Sequence, residues 1–321
     1  MLAFVFLPVI NSPAGEPENR KQSMKPSAPA SDTEFEWQAS ARMPETNHDI
    51  TGAVLDGKFY VAGGTTELQN PKRAHAFDEV WELDPLAWKW RVAGKLSRAR
   101  VYCATAAFAG KIWIIGGNVP ERDASHRAVN TVELYDPETG GVTAGPQSPV
   151  ARPMPVALTT AGRLYVMGNP QGEVELPGKI ESIGEGENTW RAEPDGPCGM
   201  GPLAGAALDG KLYVVIPKTG FAIFDTMTRT WEVLAPPSIP RSCQMTAYRG
   251  EIWMMGGRGI ADGRQTLIFN PETRAWRNGP PLPRELAWGA AGVVGDLLIV
   301  AGGHSTGEYM DATYVLRKKL P

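Results

Sequence analysis

Cysteine, histidine and an excess of either charge are all scarce in this chain, and each scarcity removes a class of function. Among 321 residues there are three cysteines, Cys103, Cys198 and Cys243, odd in number and far apart, so no disulfide framework is written into the sequence. Cys103 and Cys243 occupy similar places in two copies of a repeat and are expected as small buried hydrophobes, reduced in the native protein. No Cys-x-x-Cys or His-x-x-x-His spacing is present, and no metal or other cofactor is expected. The four histidines are His48, His75, His126 and His304. Lys and Arg total 32 against 35 Asp and Glu, a net charge of −3, and the one basic cluster is Arg317-Lys318-Lys319. Nucleic-acid binders show a basic excess or stripe, so nucleic acid is excluded as a partner. There is no GxSxG elbow, P-loop or zincin helix.

Long apolar runs are also missing. The longest near the start, Leu2 to Ile10, has nine residues, too few to span a bilayer as a helix. It has the length of a signal-peptide core, with Ser12-Pro13-Ala14 offering small residues for cleavage, but no Lys or Arg precedes it. Two localisations follow: secreted or periplasmic if the run is a signal, cytoplasmic if it is an unprocessed arm. Residues 15–33 are rich in Pro, Ser, Glu and Lys and read as a tether. The expected division is 1–33 as arm and tether, and 34–321 as the folded domain.

What is abundant is glycine and proline, 36 and 28 residues, with no helical apolar period sustained over about a dozen residues. Many short strands joined by tight turns fit that composition. The strands repeat. Gly-Gly closes an apolar strand at Gly63-Gly64, Gly116-Gly117, Gly256-Gly257 and Gly302-Gly303, with degenerate versions at Gly168-Asn169 and Ile216-Pro217. The six positions are spaced 53, 52, 48, 40 and 46 residues apart, the mark of a radial array of four-stranded units. A third strand runs into Asp84-Pro85, Asp136-Pro137, Asp225-Thr226 or Asn270-Pro271, and a Trp follows at Trp90, Trp190, Trp231 and Trp276. Unit three has Ile183-Gly184 at the turn instead, and unit two has Val142 in place of the Trp.

Gly-Gly after an apolar strand, then aromatic-Asp-Pro and a Trp, resembles the kelch repeat family over residues 35–316. The resemblance implies an all-β fold: a six-bladed β-propeller of four-stranded antiparallel blades. The chain ends point to a closed ring independently. Unit six stops after its third strand, Thr313-Tyr314-Val315-Leu316, whereas Phe35-Glu36-Trp37 is a fourth strand without the first three. Pairing the N-terminal strand with the C-terminal blade would remove two open edges.

In such a ring the entries to the first strands and the segments after Gly-Gly meet at one mouth of the channel. Asp49, Arg100, Tyr102, Arg152 and Trp288 fall at entries; Asn118, Arg258 and His304 follow Gly-Gly. Met200, Pro202 and Lys218 hold corresponding places in the units with degenerate glycine pairs. Arg100, Arg152, Arg258 and His304 are expected to converge and favour an anionic guest. No catalytic residue can be assigned by motif. The copper-dependent oxidases that share a kelch propeller need a His pair, tyrosines and a cross-linkable Cys, a set not recognised here. Two readings stand: a non-catalytic recognition module for a protein, peptide or glycan, and an exported small-sugar mutarotase or epimerase. The second is similar in layout to bacterial six-bladed kelch proteins that interconvert sialic acid anomers, with an anionic small sugar as ligand. The first is preferred, and a monomer is expected.

Overall fold

A computed structural model of the protein describes residues 34–66, 75–121, 126–170, 176–198, 204–216, 219–238, 240–305 and 307–319. The apolar run, the tether, Met200, Pro202 and Lys218 lie outside the described residues. Six four-stranded antiparallel sheets form the blades. Blades 1 to 5 each draw their four strands, in chain order, from one repeat. Their first, innermost strands are Gly52–Leu55, Ala104–Phe108, Val156–Thr160, Ala204–Leu208 and Gln244–Tyr248. Blade 6 combines Ala290–Val294, Leu297–Ala301 and Ala312–Lys318 with Phe35–Arg42 from the other end of the chain. Trp37 pairs with Leu316 and Gln38 with Val315, so the ring closes as the two incomplete units require. No helix long and apolar enough to cross a membrane occurs among the described residues.

The second strands are apolar and buried on both faces, and their successive residues enter alternate cores, one at each junction between neighbouring blades. Between blades 6 and 1, for example, Phe59, Trp81 and Trp90 pack with Ala290, Ile299 and Val315. The outer Trp of a blade is both filler and clip. Trp37, Trp190 and Trp231 donate indole N–H bonds to the carbonyls of Pro280, Pro146 and Pro194 on the preceding blade, at 3.1, 2.9 and 3.4 Å. Trp90 makes the corresponding bond to Thr313 Oγ1 at 2.9 Å.

The turn chemistry follows the sequence closely. Asp84, Asp136, Asp225 and Asn270 each accept a backbone N–H two residues on with a side-chain oxygen, at 2.8 to 3.0 Å. In blade 3, which has Gly184 there, Glu187 takes over: its carboxylate accepts the Gly184 N–H at 2.8 Å. Gly-Gly is a junction between blades. The second glycine donates its N–H to the entry carbonyl of the next blade: Gly64 to Arg100, Gly117 to Arg152, Gly257 to Leu286 and Gly303 to Asn47, at 2.7 to 2.9 Å. Gly64 has φ +94°, and a Cβ on it would sit 2.0 Å from Asn47 Oδ1, so neither conformation nor space admits a side chain.

Candidate ligand site at the channel mouth

The innermost strands line a cavity of 360 Å³ along the ring axis. Its walls are mostly Ala, Val and Thr from the first strands, and Asp49, Tyr102, Met154, Ser242 and Trp288 stand where the chain enters those strands. Four of these five hold a left-handed backbone: φ is 61° at Asp49, 58° at Tyr102, 58° at Ser242 and 62° at Trp288. That conformation is unfavourable for a side-chain-bearing residue and clusters at functional sites. Here it is held by a belt of hydrogen bonds between blades. Tyr102 N–H donates to Asp49 O, Asp49 N–H to Trp288 O and Trp288 N–H to Ser242 O, at 3.0, 2.9 and 2.9 Å. The belt aims side chains from blades 5, 6, 1 and 2 at one opening.

Segments after Gly-Gly come back to the entries of their own blades, as bridges His48–Thr65, Val101–Asn118, Arg241–Arg258 and Ala287–His304. His304 and Tyr309 then form a short ribbon, pairing across a turn. The result is a polar cluster on one side of the mouth. His304 Nδ1 lies 3.3 Å from Arg258 Nη2 and 3.2 Å from the Ser305 carbonyl. A bare Nδ1 accepts from the guanidinium, and a protonated one donates to the carbonyl. Burial pushes the His304 pKa below 6.5, with His48 and Arg258 acting the same way against the Ser305 carbonyl and Asp49. Tyr102 and Trp288 meet edge to face with centroids 5.1 Å apart. Burial first, and then the Asp49 carboxylate, raise the Tyr102 pKa, so its hydroxyl keeps its proton.

The expected convergence of four cations is only half met. Arg258 and His304 come together, and Asp49, Tyr102 and Trp288 share the cavity close by. Arg100 and Arg152 do not join them. Each is buried, at 2% and 1% exposure, and commits its guanidinium inside its own blade. Arg100 donates to the Gly116 and Thr131 carbonyls at 3.3 and 3.4 Å and pairs with Glu133 at 3.2 Å. Arg152 donates to Gly168 O at 2.8 Å, Ser148 Oγ at 2.9 Å and the carboxylate of Glu181. The reason is local: a Glu on the third strand of these two blades faces the entry residue, and a buried guanidinium needs that charge and those carbonyls. Blade 6 has Leu286 at the same entry position and blade 1 has Asn47, whose amide donates to Gly63 O at 2.9 Å. Asn118 is also largely buried, with its amide donating to Pro153 O at 3.3 Å.

Two residues of the cluster are ones the sequence reading does not select. His48 is 2% exposed, stacked on Tyr309 with centroids 4.8 Å apart and edge-on to His304 at 5.1 Å. A weak signal marks it. Of the three equivalent bridge positions, Val101 and Ala287 are apolar, and Arg241 is exposed to solvent. Tyr309 lies in a variable loop and carries no such signal. Among the described residues no group of three or more His, Cys, Asp or Glu side chains is arranged to hold a metal ion.

Comparison with known proteins agrees with the repeat and the ring. A family profile described as Kelch motif matches residues 47–97 and 99–140. Kelch-like protein 35 of Mus musculus is 24% identical over 244 residues, covering 74% of this chain and 40% of the relative. Kelch-like protein 25 of Xenopus tropicalis is 20% identical over 259 residues, covering 77% of this chain and 43% of the relative. The chain therefore spans less than half the length of these two relatives. Among solved structures, one titled "Structure of YjhT" superposes with a TM-score of 0.68 at 15% identity, covering 84% of this chain and 95% of the other. Repeat, ring and motif coincide: the chain carries kelch motifs at residues 47–97 and 99–140 and folds as a six-bladed β-propeller.

Proposed function

We propose that this propeller is a recognition module whose channel mouth binds a small, hydroxyl-rich, anionic ligand, of which a sugar acid or the acidic terminal residue of a glycan fits best. One observation carries this reading: a 360 Å³ cavity rimmed by Asp49, Tyr102, Ser242 and Trp288, with Arg258 and His304 paired beside Asp49's blade. That volume lies in the lower part of the ~300–1,000 Å³ range of small-molecule pockets and suits one or two sugar rings. An aromatic pair offers a face for the apolar side of a ring, a carboxylate and a serine suit its hydroxyls, and an exposed guanidinium suits its carboxylate. A protein or peptide partner would reach only the rim, because the polar groups are set around a hole.

Calorimetry with N-acetylneuraminic acid, glucuronic acid and methyl glucoside tests the reading. Saturable binding of an acidic sugar that weakens in Trp288→Ala and Arg258→Ala is expected. Failure of all three sugars to bind, beside capture of a peptide at the same mouth, would replace it.

A second reading, sugar-anomer interconversion, is favoured by one feature: Asp49 and His304 are two titratable groups beside one cavity. Mutarotation needs a base to take the anomeric O–H proton and an acid to give one to the ring oxygen as the ring C–O bond breaks, and recyclisation reverses both. Exchange NMR on the two anomers of N-acetylneuraminic acid decides it. Faster exchange with protein than with the Asp49→Asn variant supports catalysis, and equal rates leave binding alone.

A further inference from the structure

The entries of blades 1, 2, 5 and 6 share one bridge, so the bridge position has internal controls. At the place of His48 stand Val101 in blade 2, 5% exposed, and Ala287 in blade 6, 2% exposed, each bridged to its own post-glycine strand as His48 is. Arg241 holds the place in blade 5 and turns to solvent. Where the position is buried, the fold is therefore satisfied by a small apolar side chain. Blade 1 instead has Asn47, His48 and Asp49 in a row, at 0, 2 and 3% exposure. Among the described residues all three carry buried polar atoms without a hydrogen-bond partner, Asn47 Oδ1, His48 Nε2 and Asp49 Oδ2, while His48 Nδ1 has only its ion-pair contact with Asp49 Oδ1. Buried polar atoms in folded proteins are nearly always partnered, and a run of orphans on consecutive residues points to a partner that comes from outside the chain.

The geometry says where that partner sits. Asp49 lines the axial cavity. Behind it, His48 Nδ1 lies 3.1 Å from Asp49 Oδ1, and the imidazole is fixed by Tyr309 stacked on one face and His304 against it edge-on. We propose that His48 and Asp49 are a ligand-facing pair: Asp49 accepts a hydroxyl hydrogen of the mouth ligand on Oδ2, and His48 is the positioning residue that holds the carboxylate from behind. This rests on the mouth being a ligand site, and it orients the ligand. A hydroxyl group points at Asp49 and the anionic group points toward Arg258 on blade 5. The recognised class is a polyol or sugar carrying one anionic group at a distance from at least one free hydroxyl, and a simple monocarboxylate without hydroxyls would bind poorly.

The internal controls supply the test, run on the whole chain with N-acetylneuraminic acid as the probe and propionate as the hydroxyl-free comparison. His48→Val copies what blade 2 already carries. It should melt at or above the wild-type temperature while binding the sugar acid about tenfold more weakly or worse, the loss appropriate to a hydrogen bond to a charged group. His48→Asn keeps an amide N–H near the Nδ1 position and should recover much of the affinity, which a purely space-filling role would not require. Asp49→Asn should lose affinity to a similar extent. A lower melting temperature in His48→Val makes His48 a structural residue and overturns the proposal, as does unchanged affinity, or propionate binding as tightly as the sugar acid. If the wild type binds no acidic sugar, the sugar reading of the mouth fails separately. The pair is then judged by melting alone, where a gain of stability in His48→Val supports a site kept against the fold's preference and a loss overturns it.

Discussion

Arginine has two fates in this protein, decided by what stands opposite it. Arg152 is enclosed with Glu181, and burial works against both charges, lowering the arginine pKa and raising that of the glutamate while their attraction opposes the shift. Removing one partner leaves the other as a buried unpaired charge. Arg152→Ala should therefore destabilise the fold by about 3–5 kcal/mol, read from chemical denaturation, while Arg152→Met with Glu181→Leu together should recover most of it. Arg258 is exposed and, among the described residues, makes no ion pair with a carboxylate. Arg258→Ala should leave the denaturation midpoint unchanged and weaken a carboxylate-bearing ligand by about 1.5–3 kcal/mol in calorimetry. His304 gives a pH signature. Its folded pKa is depressed below the ordinary 6.5, so the unfolded chain takes up the proton first as pH falls. His304 contributes stability above about pH 6.5 that is lost as pH drops through its folded value. Denaturation midpoints between about pH 5 and 7 should slope upward with pH, and His304→Gln should flatten part of that slope. An unchanged slope would assign the dependence to other groups.

Among the elements, the strand ends matter more than the strands. Each Gly-Gly hands one N–H to the next blade and the outer Trp reaches back to the previous one, so blades are tied at their inner and outer margins. Gly64→Ala would put a Cβ 2.0 Å from Asn47 Oδ1 in a left-handed backbone. It should destabilise well beyond the ~1 kcal/mol typical of a point substitution, and it should also disturb the Asn47-His48-Asp49 segment. The same glycine-to-alanine change at Gly57, where φ is +72° and nothing lies within 4 Å, should carry only the conformational penalty. Comparing the two melting temperatures separates strain from collision.

At the scale of the whole molecule, closure is the governing feature. Phe35–Arg42 pairs along Ala312–Lys318, and its Trp37 packs in the core between blades 5 and 6. A chain beginning at Met43 lacks the whole closing strand. It should melt far below a chain beginning at Glu34 and expose the edge of residues 312–318 to association. Equal melting temperatures would sink closure as a source of stability. The ring also governs the thiols. Cys103 and Cys243 sit on blades 2 and 5, opposite each other across the axis, both free and buried, with burial pushing their pKa values up to about 11 and about 12. These two should react with a thiol reagent only once denaturant is added, monitored by mass.

Spacing and residue type alone determined the blade count, the Asx turns, the partner of the N-terminal strand and the face on which the entries meet. These are written in short-range chemistry: a glycine where a Cβ cannot fit, an Asp whose oxygen bonds two residues ahead, a Trp at a fixed place in every unit but the second. The membership of the site was decided by tertiary structure. Arg100 and Arg152 at strand entries and Arg258 after Gly-Gly are all expected at one mouth, but only the fold sets Glu133 and Glu181 against the first two and leaves the third in solvent. Likewise His48 and Asp49 come from one end of the chain and His304 and Tyr309 from the other. They meet because ring closure sets blade 6 beside blade 1. A contact made by closing a ring has no local signal, since its strength depends on every blade between being in place.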